Sequence, residues 1–236
     1  MKSLTLVLPI ALFSVLLPFS PRPPQAPAES GALDSVLKKM DTAAAGFRTT
    51  RAEFEWDRYE KVIDEVDDVQ SGSIYYRRAG KDIEMMADIS KPDRKFVLFS
   101  GGKIKMYLPK PDQVTVYDLG KNSNDFESYL VLGFGGSGQD MMKAFDVTYI
   151  GPETVNGIAS SKLQLIPKSA KVRNTFAKIL LWIDLDRGIS VQQQFFEPQG
   201  DYRLAKYSSI KVNEKIANDV FQLKTTSKTQ TISPSG

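Results

Sequence analysis

Short segments in which apolar and polar residues alternate follow one another along most of this 236-residue chain. The spacers between them are short and rich in Gly, Pro and Asp, a pattern typical of hairpins between antiparallel strands. We therefore predict a mainly β (α+β) fold with one antiparallel sheet that curls, because a flat sheet of this many strands would leave a face uncovered. The predicted strands are 52–56, 74–78, 83–89, 96–100, 104–108, 114–117, 147–150, 161–166, 177–183, 190–196, 203–212 and 221–224.

Helices are predicted at two places along the chain. The first follows Ser30, a suitable N-cap, and ends at Gly46. Its apolar residues fall at the i, i+3, i+4, i+7 spacing of one helix face and are Leu33, Val36, Leu37 and Met40. Two short apolar helices, FESYLVLGF and QDMMKAF, interrupt the run of strands. Helices with so many large apolar residues must cover an apolar surface.

Three glycines between the two short helices, Gly133, Gly135 and Gly138, match the G-x-G-x-x-G pattern of dinucleotide-binding turns. That pattern requires a parallel βαβ unit and an acidic residue about twenty positions further on. Here the flanking strands are predicted hairpins, and the acidic residue at that distance, Glu153, falls in a predicted turn at 151–157. We reject a nucleotide site and predict that the three glycines form a flexible hinge in the helical cover.

The N-terminus has the features of a secretory signal peptide. Lys2 precedes an apolar run at 4–17, and Ala-Pro-Ala at 26–28 fits a cleavage site. We predict a signal peptide at 1–28, an exported domain at 29–236 and a periplasmic location. An uncleaved membrane anchor is the alternative, which Pro9 and Pro18 disfavour. Without Cys the chain forms no disulfide and carries no lipid of its own.

The residue types that are missing exclude several classes of enzyme. With no His and no Cys, Ser-His-Asp and Cys-His catalysis and the usual zinc sites are impossible. The carboxylates at positions 53, 55 and 57 alternate with apolar residues and indicate a solvated strand face. The acidic cluster at 64–68 lacks the calcium-loop spacing. A net charge of +3 gives no field suited to nucleic acid. We predict no enzyme activity, no cofactor, no metal and no nucleic-acid partner.

Two long stretches resemble the periplasmic outer-membrane lipoprotein carrier family, of LolA type. The first, SGSIYYRRAGKDIEMMADISKPDRKFVLFSGGKIKMYLPKPDQVTVYDL, carries the matching Gly72, Arg77-Arg78, Pro92-Asp93, Ser100-Gly101-Gly102-Lys103 and Tyr107-Leu108-Pro109. The second, LWIDLDRGISVQQQFFEPQGDYRLAKYSSIKVNEKIANDVFQL, carries Asp184, Gly188, Gly200-Asp201, Asn213 and Phe221. The likeness covers about residues 30–225, and the order and spacing of the motifs carry it.

The resemblance implies an unclosed antiparallel β half-barrel whose concave apolar face is covered by helices, as in LolA and LolB. Proteins of this family take acylated lipoproteins from an inner-membrane release complex and pass them to an outer-membrane receptor. It therefore implies a monomeric carrier with those partners and with acylated lipoproteins or lipid as cargo. A lipid- or lipoprotein-sensing regulatory domain of the same fold is the alternative. A chain that ends soon after the last predicted strand favours the carrier.

Period-two alternation predicts which residues line the apolar face of the sheet. For each one, ordinary core packing is the alternative to contact with lipid. The set is Phe54, Trp56, Ile74, Tyr76, Ile83, Met85, Ile89, Phe96, Leu98, Ile104 and Met106. The resemblance also implies that Arg78 hydrogen-bonds the backbone of the cover and latches it. Arg77 is the alternative, because Ala79 stands where the family has Pro and the following turn is longer.

Overall fold

Twelve strands form one sheet in the computed structural model of the chain, which describes residues 26–80, 82–120, 129 and 132–234. The strands are β1 (Thr49–Glu60), β2 (Glu65–Ala79), β3 (Asp82–Lys91), β4 (Lys95–Ser100), β5 (Lys103–Leu108), β6 (Gln113–Asp118), β7 (Phe145–Val155), β8 (Ile158–Pro167), β9 (Lys178–Asp184), β10 (Ser190–Phe196), β11 (Tyr202–Val212) and β12 (Gln230–Ile232). The predicted signal peptide up to residue 25 and most of the predicted helix at 126–134 lie outside the described residues.

The order of the strands across the sheet is β12-β6-β5-β4-β3-β2-β1-β11-β10-β9-β8-β7. Neighbouring strands are antiparallel, except that β12 runs parallel to β6. The edge strands β12 and β7 do not pair with each other, so the sheet stays unclosed. This confirms the predicted mainly β half-barrel.

Within the part of the chain that the structure describes, three complete α-helices accompany the sheet: α1 (Ala26–Gly46), α2 (Gly138–Ala144) and α3 (Ala170–Arg173). The apolar side of α1 packs as predicted, with Val36 and Met40 buried against residues of α2, β8 and β9. The start of α1 differs from the prediction, because the helix begins at Ala26 and Ser30 lies inside it. None of the described helices has the length and apolar content needed to span a membrane.

Two faces of the sheet carry separate apolar clusters. On what we call the inner face, α1 and α2 cover β7, β8 and β9, and a second cluster on β1, β2 and β3 includes Ile74, Tyr76 and Met85. On the outer face, Met86 and Leu98 pack against Phe221 from the C-terminal segment. The helices thus cover one half of the inner face directly, and the other half carries the candidate site.

The predicted strand at 221–224 is wrong. Phe221 ends a short 3₁₀ helix (Asn218–Phe221) that lies on the outer face of the sheet, and the last strand is Gln230–Ile232. The apolar pattern of this segment reflects packing of Phe221 on Met86 and Leu98 and gives no sign of strand pairing.

Part of the predicted turn at 151–157 lies inside a strand, and so does Gly72, which belongs to the spacer between the predicted strands 52–56 and 74–78. The chain from Gly151 to Val155 belongs to β7, so Glu153 sits in a strand and its carboxylate lies 3.1 Å from Nζ of Lys162. β7 is an edge strand, the place in a sheet where a proline such as Pro152 is tolerated. Gly72 lies within β2, where an added Cβ would stand 2.0 Å from the carbonyl oxygen of Asp88. The close approach of the Asp88 backbone therefore explains the glycine at position 72, which does not lie in a turn.

Candidate functional site

A cavity of about 560 Å³ opens on the inner face of the sheet. Its apolar lining consists of Trp56, Ile74, Tyr76, Met85, Ile89, Val97, Met106, Tyr129, Phe176, Phe195, Ala205 and Tyr207, with the side chain of Gln193 among them. The remaining wall contains Asp57, Arg58, Asp68, Gln70, Lys95, Arg203 and Leu204. The cavity therefore combines a broad apolar lining with five charged residues in the rest of its wall.

Strand register brings this lining together. Ile74 pairs with Ala87 and Tyr76 pairs with Met85, so alternate residues of β2 and β3 project to the same side. Six of the eleven predicted residues line the cavity: Trp56, Ile74, Tyr76, Met85, Ile89 and Met106. Three others, Phe54, Ile83 and Ile104, belong to the apolar cluster on the same face without lining the cavity. Contact of any of these residues with lipid stays a prediction.

The predicted inner-face positions in β4 are wrong. Phe96 and Leu98 belong to the outer-face cluster, and Val97 lines the cavity in their place. The register decides this, because Val97 pairs with Ala87 and Phe96 pairs with Asp88. Residues 96–99 are all apolar, so alternation in the sequence gave no signal for which parity faces inward.

Sequence reasoning missed the part of the lining that comes from the second half of the chain. Ala205 and Tyr207 alternate along β11, a period-two signal that the sequence does contain. Gln193 and Phe195 share one face of β10, but the segment QQQFF has no clear alternation. Phe176 precedes β9 outside any strand, and only the tertiary fold brings it to the cavity.

A turn at 132–135, which we call the cover turn, plugs one end of the apolar lining. The Phe134 side chain has no exposed surface, and its ring lies 5.1 Å from the ring of Tyr76 and 4.8 Å from that of Tyr207, measured between centroids. Burial raises the pKa of both tyrosine hydroxyls, which therefore stay neutral. These contacts attach the cover turn to the wall of the cavity.

A polar relay supports the same attachment. The Tyr207 hydroxyl donates to Oε1 of Gln193 over 3.2 Å, and Nε2 of Gln193 donates to the carbonyl oxygen of Leu132. All three groups are enclosed by apolar side chains, where an unmade hydrogen bond is costly. The relay therefore joins the cavity wall to the backbone of the cover turn.

The three glycines of the G-x-G-x-x-G pattern pack closely against other elements. Added Cβ atoms would stand 2.2 Å from Cβ of Ser190 at Gly133, 2.6 Å from the ring of Phe47 at Gly135, and 2.8 Å from the carbonyl oxygen of Leu37 at Gly138. Gly133 and Gly135 also have positive φ angles of 78° and 91°. Close approach and backbone conformation thus account for glycine here, and the hinge role stays a prediction.

Arg78 lies between the end of α1 and the cover turn. Its Nε donates to the carbonyl oxygen of Phe47 over 3.4 Å, and its guanidinium also donates to the carbonyl oxygen of Gly135 over 3.3 Å. Arg77 is on the outer face, where it binds Glu84 at 2.6 Å and lies over the ring of Phe221. Of the two arginines, Arg78 makes the contacts that a latch requires, and its role as a latch stays a prediction.

The carboxylates that could suggest catalysis are ion-paired. Lys206 lies 2.7 Å from Asp57 and 3.0 Å from Glu55, and the hydrogen bond to Asp57 raises the pKa of its ammonium group. Within the described part of the chain, no group of three or more acidic side chains is arranged to hold a metal ion.

Residues 47–224 match the family model described as "Outer membrane lipoprotein carrier protein LolA". The chain belongs to the LolA family. The match begins at Phe47 and includes every strand of the cavity, while α1 and β12 lie outside it. No curated protein matches the sequence.

Solved structures share the LolA-superfamily fold at low sequence identity. The crystal structure of MucB is 13% identical with a TM-score of 0.52, over 82% of this chain and 63% of MucB, so this chain matches less than two thirds of MucB. An uncharacterized conserved protein from Thermus thermophilus is 10% identical with a TM-score of 0.54, over 86% of this chain and 99% of that protein. Likeness at this level shows the fold alone.

Proposed function

We propose that this protein is a periplasmic carrier that shields the acyl chains of lipoproteins in the inner-face cavity and transfers them from the inner to the outer membrane. The observation that carries the proposal is the cavity itself, whose lining from Trp56 to Tyr207 is apolar over most of its extent. An acyl chain has no polar groups to satisfy and needs only such a surface.

The size of the hydrophobic effect explains why a carrier is needed. At about 0.8 kcal/mol per CH₂, an anchor of some forty methylenes would cost on the order of 30 kcal/mol to expose to water. The cavity volume of about 560 Å³ lies within the range of roughly 300–1,000 Å³ that ligand sites occupy. Met85 and Met106 give the lining flexible, polarisable side chains that adapt to chains of variable shape.

The partners of the proposed carrier are acylated lipoproteins, an inner-membrane release complex that loads it and an outer-membrane receptor that unloads it. The protein acts as a monomer after removal of its signal peptide. The family description, which names an outer-membrane lipoprotein carrier, supports this route. The proposal requires no cofactor, no nucleic acid and no bond-making chemistry.

A transfer assay tests the proposal. Donor vesicles are prepared from inner membranes of the native organism and contain a fluorescent triacylated lipopeptide, acceptor vesicles are prepared from its outer membranes and contain none, and the protein is added in solution. We expect protein-dependent transfer through a soluble complex that holds the lipopeptide. A complex that forms and never delivers its lipopeptide to acceptor vesicles would contradict a carrier and favour a sensor, and failure to form any complex would contradict both.

A matched pair of variants links transfer to the cavity. Met106 lines the cavity, whereas the adjacent Lys105 pairs with Leu98 and so projects to the outer face. Met106→Glu should weaken lipopeptide binding at least tenfold, since loss of contact with two methylenes already costs about 1.6 kcal/mol. Lys105→Glu places a carboxylate outside the cavity, with a charge change of −2 where Met106→Glu gives −1, and should leave binding unchanged.

A further inference from the structure

An exposed apolar cluster lies at the end of the β1–β2 hairpin. Val62 is 94% exposed, and Ile63, Val66 and Val69 are exposed with it. The other large exposed hydrophobic residues in the described part of the chain are scattered: Tyr117, Met142, Ile150 and Ile232. A cluster of aliphatic side chains held in water is typical of a surface that another molecule covers.

The end of this hairpin is held in place by contacts with the neighbouring β10–β11 turn. The rings of Tyr59 and Tyr202 stack with centroids 4.6 Å apart, and the backbone N–H of Lys61 donates to Asp201 over 2.9 Å. The Tyr59 hydroxyl also bonds the Asp64 carboxylate across the hairpin. The aliphatic side chains are therefore presented on a preformed element, which lowers the entropy lost on binding.

One strand of the hairpin also has a free edge. β2 pairs with β3 only from Ser71 onward, whereas residues 65–70 pair with β1 alone. The outward N–H and C=O groups of that stretch are thus available to an incoming strand. The free edge adjoins Val66 and Val69, so backbone and side-chain contacts would reinforce each other.

The charge of this element restricts what can bind it. Residues 57–68 contain six carboxylates and two cationic side chains, a local charge of −4 on a chain whose net charge is +3. An anionic lipid surface attracts cationic segments by about 1 kcal/mol per residue and repels an acidic one. A protein surface with an apolar centre and a rim of Lys and Arg complements it in both respects.

We propose that residues 57–69, which we call the acidic hairpin, form the docking element for a protein partner that presents an apolar patch bordered by Lys and Arg. Asp57, Arg58 and Asp68 at the base of the hairpin also belong to the cavity wall. A partner bound to the acidic hairpin therefore sits beside the cavity. This proposal rests on the proposed function only for why a partner should approach that cavity.

Photo-crosslinking tests the docking element. A photoreactive residue at Val62 is irradiated in envelope membranes of the native organism, with a matched probe at Tyr117, an exposed residue on β6. We expect one protein adduct, identified by mass spectrometry, from position 62 alone. Its yield should fall at least tenfold in 1 M salt, where the Debye length is only about 3 Å. No position-specific adduct, or an adduct insensitive to salt, would overturn the proposal.

Charge and side-chain variants sharpen the test. The probe stays at position 62 in both variants: Glu65→Lys with Asp67→Lys makes the local charge zero, and Ile63→Ser with Val66→Ser removes apolar side chains beside the probe. We expect both to abolish the adduct in folded protein, and persistence of the adduct in the charge variant would overturn the proposal. Binding of the hairpin to vesicles of phosphatidylglycerol and phosphatidylethanolamine through Val62 would also overturn it. Lipopeptide binding is measured on the same variants, so loss of docking with lipopeptide bound leaves the carrier function intact.

Discussion

The ring of Phe134 stacks on the ring of Tyr76 at an angle of 13°, so a residue of the cover turn occupies part of the apolar surface that forms the cavity. The two rings belong to elements far apart in the sequence, and their contact holds the cover turn against the wall of the cavity. If acyl chains fill the cavity as proposed, a chain that reaches this end would compete with Phe134 for the ring of Tyr76.

Replacing Phe134 should therefore loosen the cover turn and favour the binding of an acyl ligand. Phe134→Ala should lower the free energy of unfolding by about 3–5 kcal/mol, as for other buried phenylalanines, and tighten binding of an acyl probe. Hydrogen exchange of residues 132–144 should rise while β2 and β3 stay protected. Phe221→Ala, which empties a buried site on the outer face, should destabilise the protein without changing probe affinity. Weaker probe binding in folded Phe134→Ala would contradict the competition.

The latch prediction concerns Arg78. Its two hydrogen bonds are long and the residue is exposed, so Arg78→Ala should change the free energy of unfolding by less than about 1 kcal/mol. Exchange in residues 132–145 should nevertheless accelerate, because the link from Phe47 to Gly135 is lost. Arg77→Ala is the matched control on the outer face. Equal hydrogen-exchange rates in the two variants would show that Arg78 is an ordinary surface residue and does not latch the cover turn.

Crowding at Gly133 can be separated from its backbone conformation. Gly133 and Gly157 have nearly the same φ, 78° and 80°, but only Gly133 has neighbours within 4 Å of an added Cβ. Gly157→Ala should cost about 1–2 kcal/mol for the left-handed conformation alone. Gly133→Ala should cost a further 1–3 kcal/mol or so through the clash with Ser190. Urea denaturation measures the loss of stability in each variant. Equal losses would show that the cover turn shifts to accommodate the added Cβ without any cost in free energy.

Acid stability should depend on Asp184. Burial alone would raise the pKa of this carboxyl, but the Arg187 guanidinium at 2.7 Å and the N–H groups of Asp186 and Arg187 hold the pKa below its ordinary value. A lowered pKa stabilises the folded state above the unfolded value of about 4, and this stabilisation is lost as the pH falls through the folded pKa. Asp184→Asn should therefore cost about 1.5–3 kcal/mol at pH 7 and progressively less below pH 4. If the difference in stability between the native protein and Asp184→Asn stayed constant from pH 7 to below pH 4, the lowered pKa of Asp184 would not be the cause.

Much of the sheet could be predicted from the sequence because strands such as β1 and β5 alternate apolar and polar residues, and β5 is followed directly by Pro109. The predicted parity failed in β4, where consecutive apolar residues bury both faces and only pairing with β3 shows that Val97 lies inward. Phe221 was predicted as strand because an isolated apolar run does not distinguish pairing from packing on a face. The relay from Tyr207 through Gln193 to Leu132 could not be predicted, since it joins three segments that only the fold brings together.

The two tryptophans allow the most direct test of the central claim, that acyl chains occupy the inner-face cavity. Trp56 lines the cavity, and Trp182, the other tryptophan of the chain, packs on the outer face with Val155 and Val191. Fluorescence of Trp182→Phe reports Trp56 alone, and fluorescence of Trp56→Phe reports Trp182 alone. A lipopeptide with brominated acyl chains quenches an indole only at close range. We predict saturable quenching in Trp182→Phe and none in Trp56→Phe, whereas quenching of Trp182 alone, or of neither residue while the lipopeptide binds, would contradict the account.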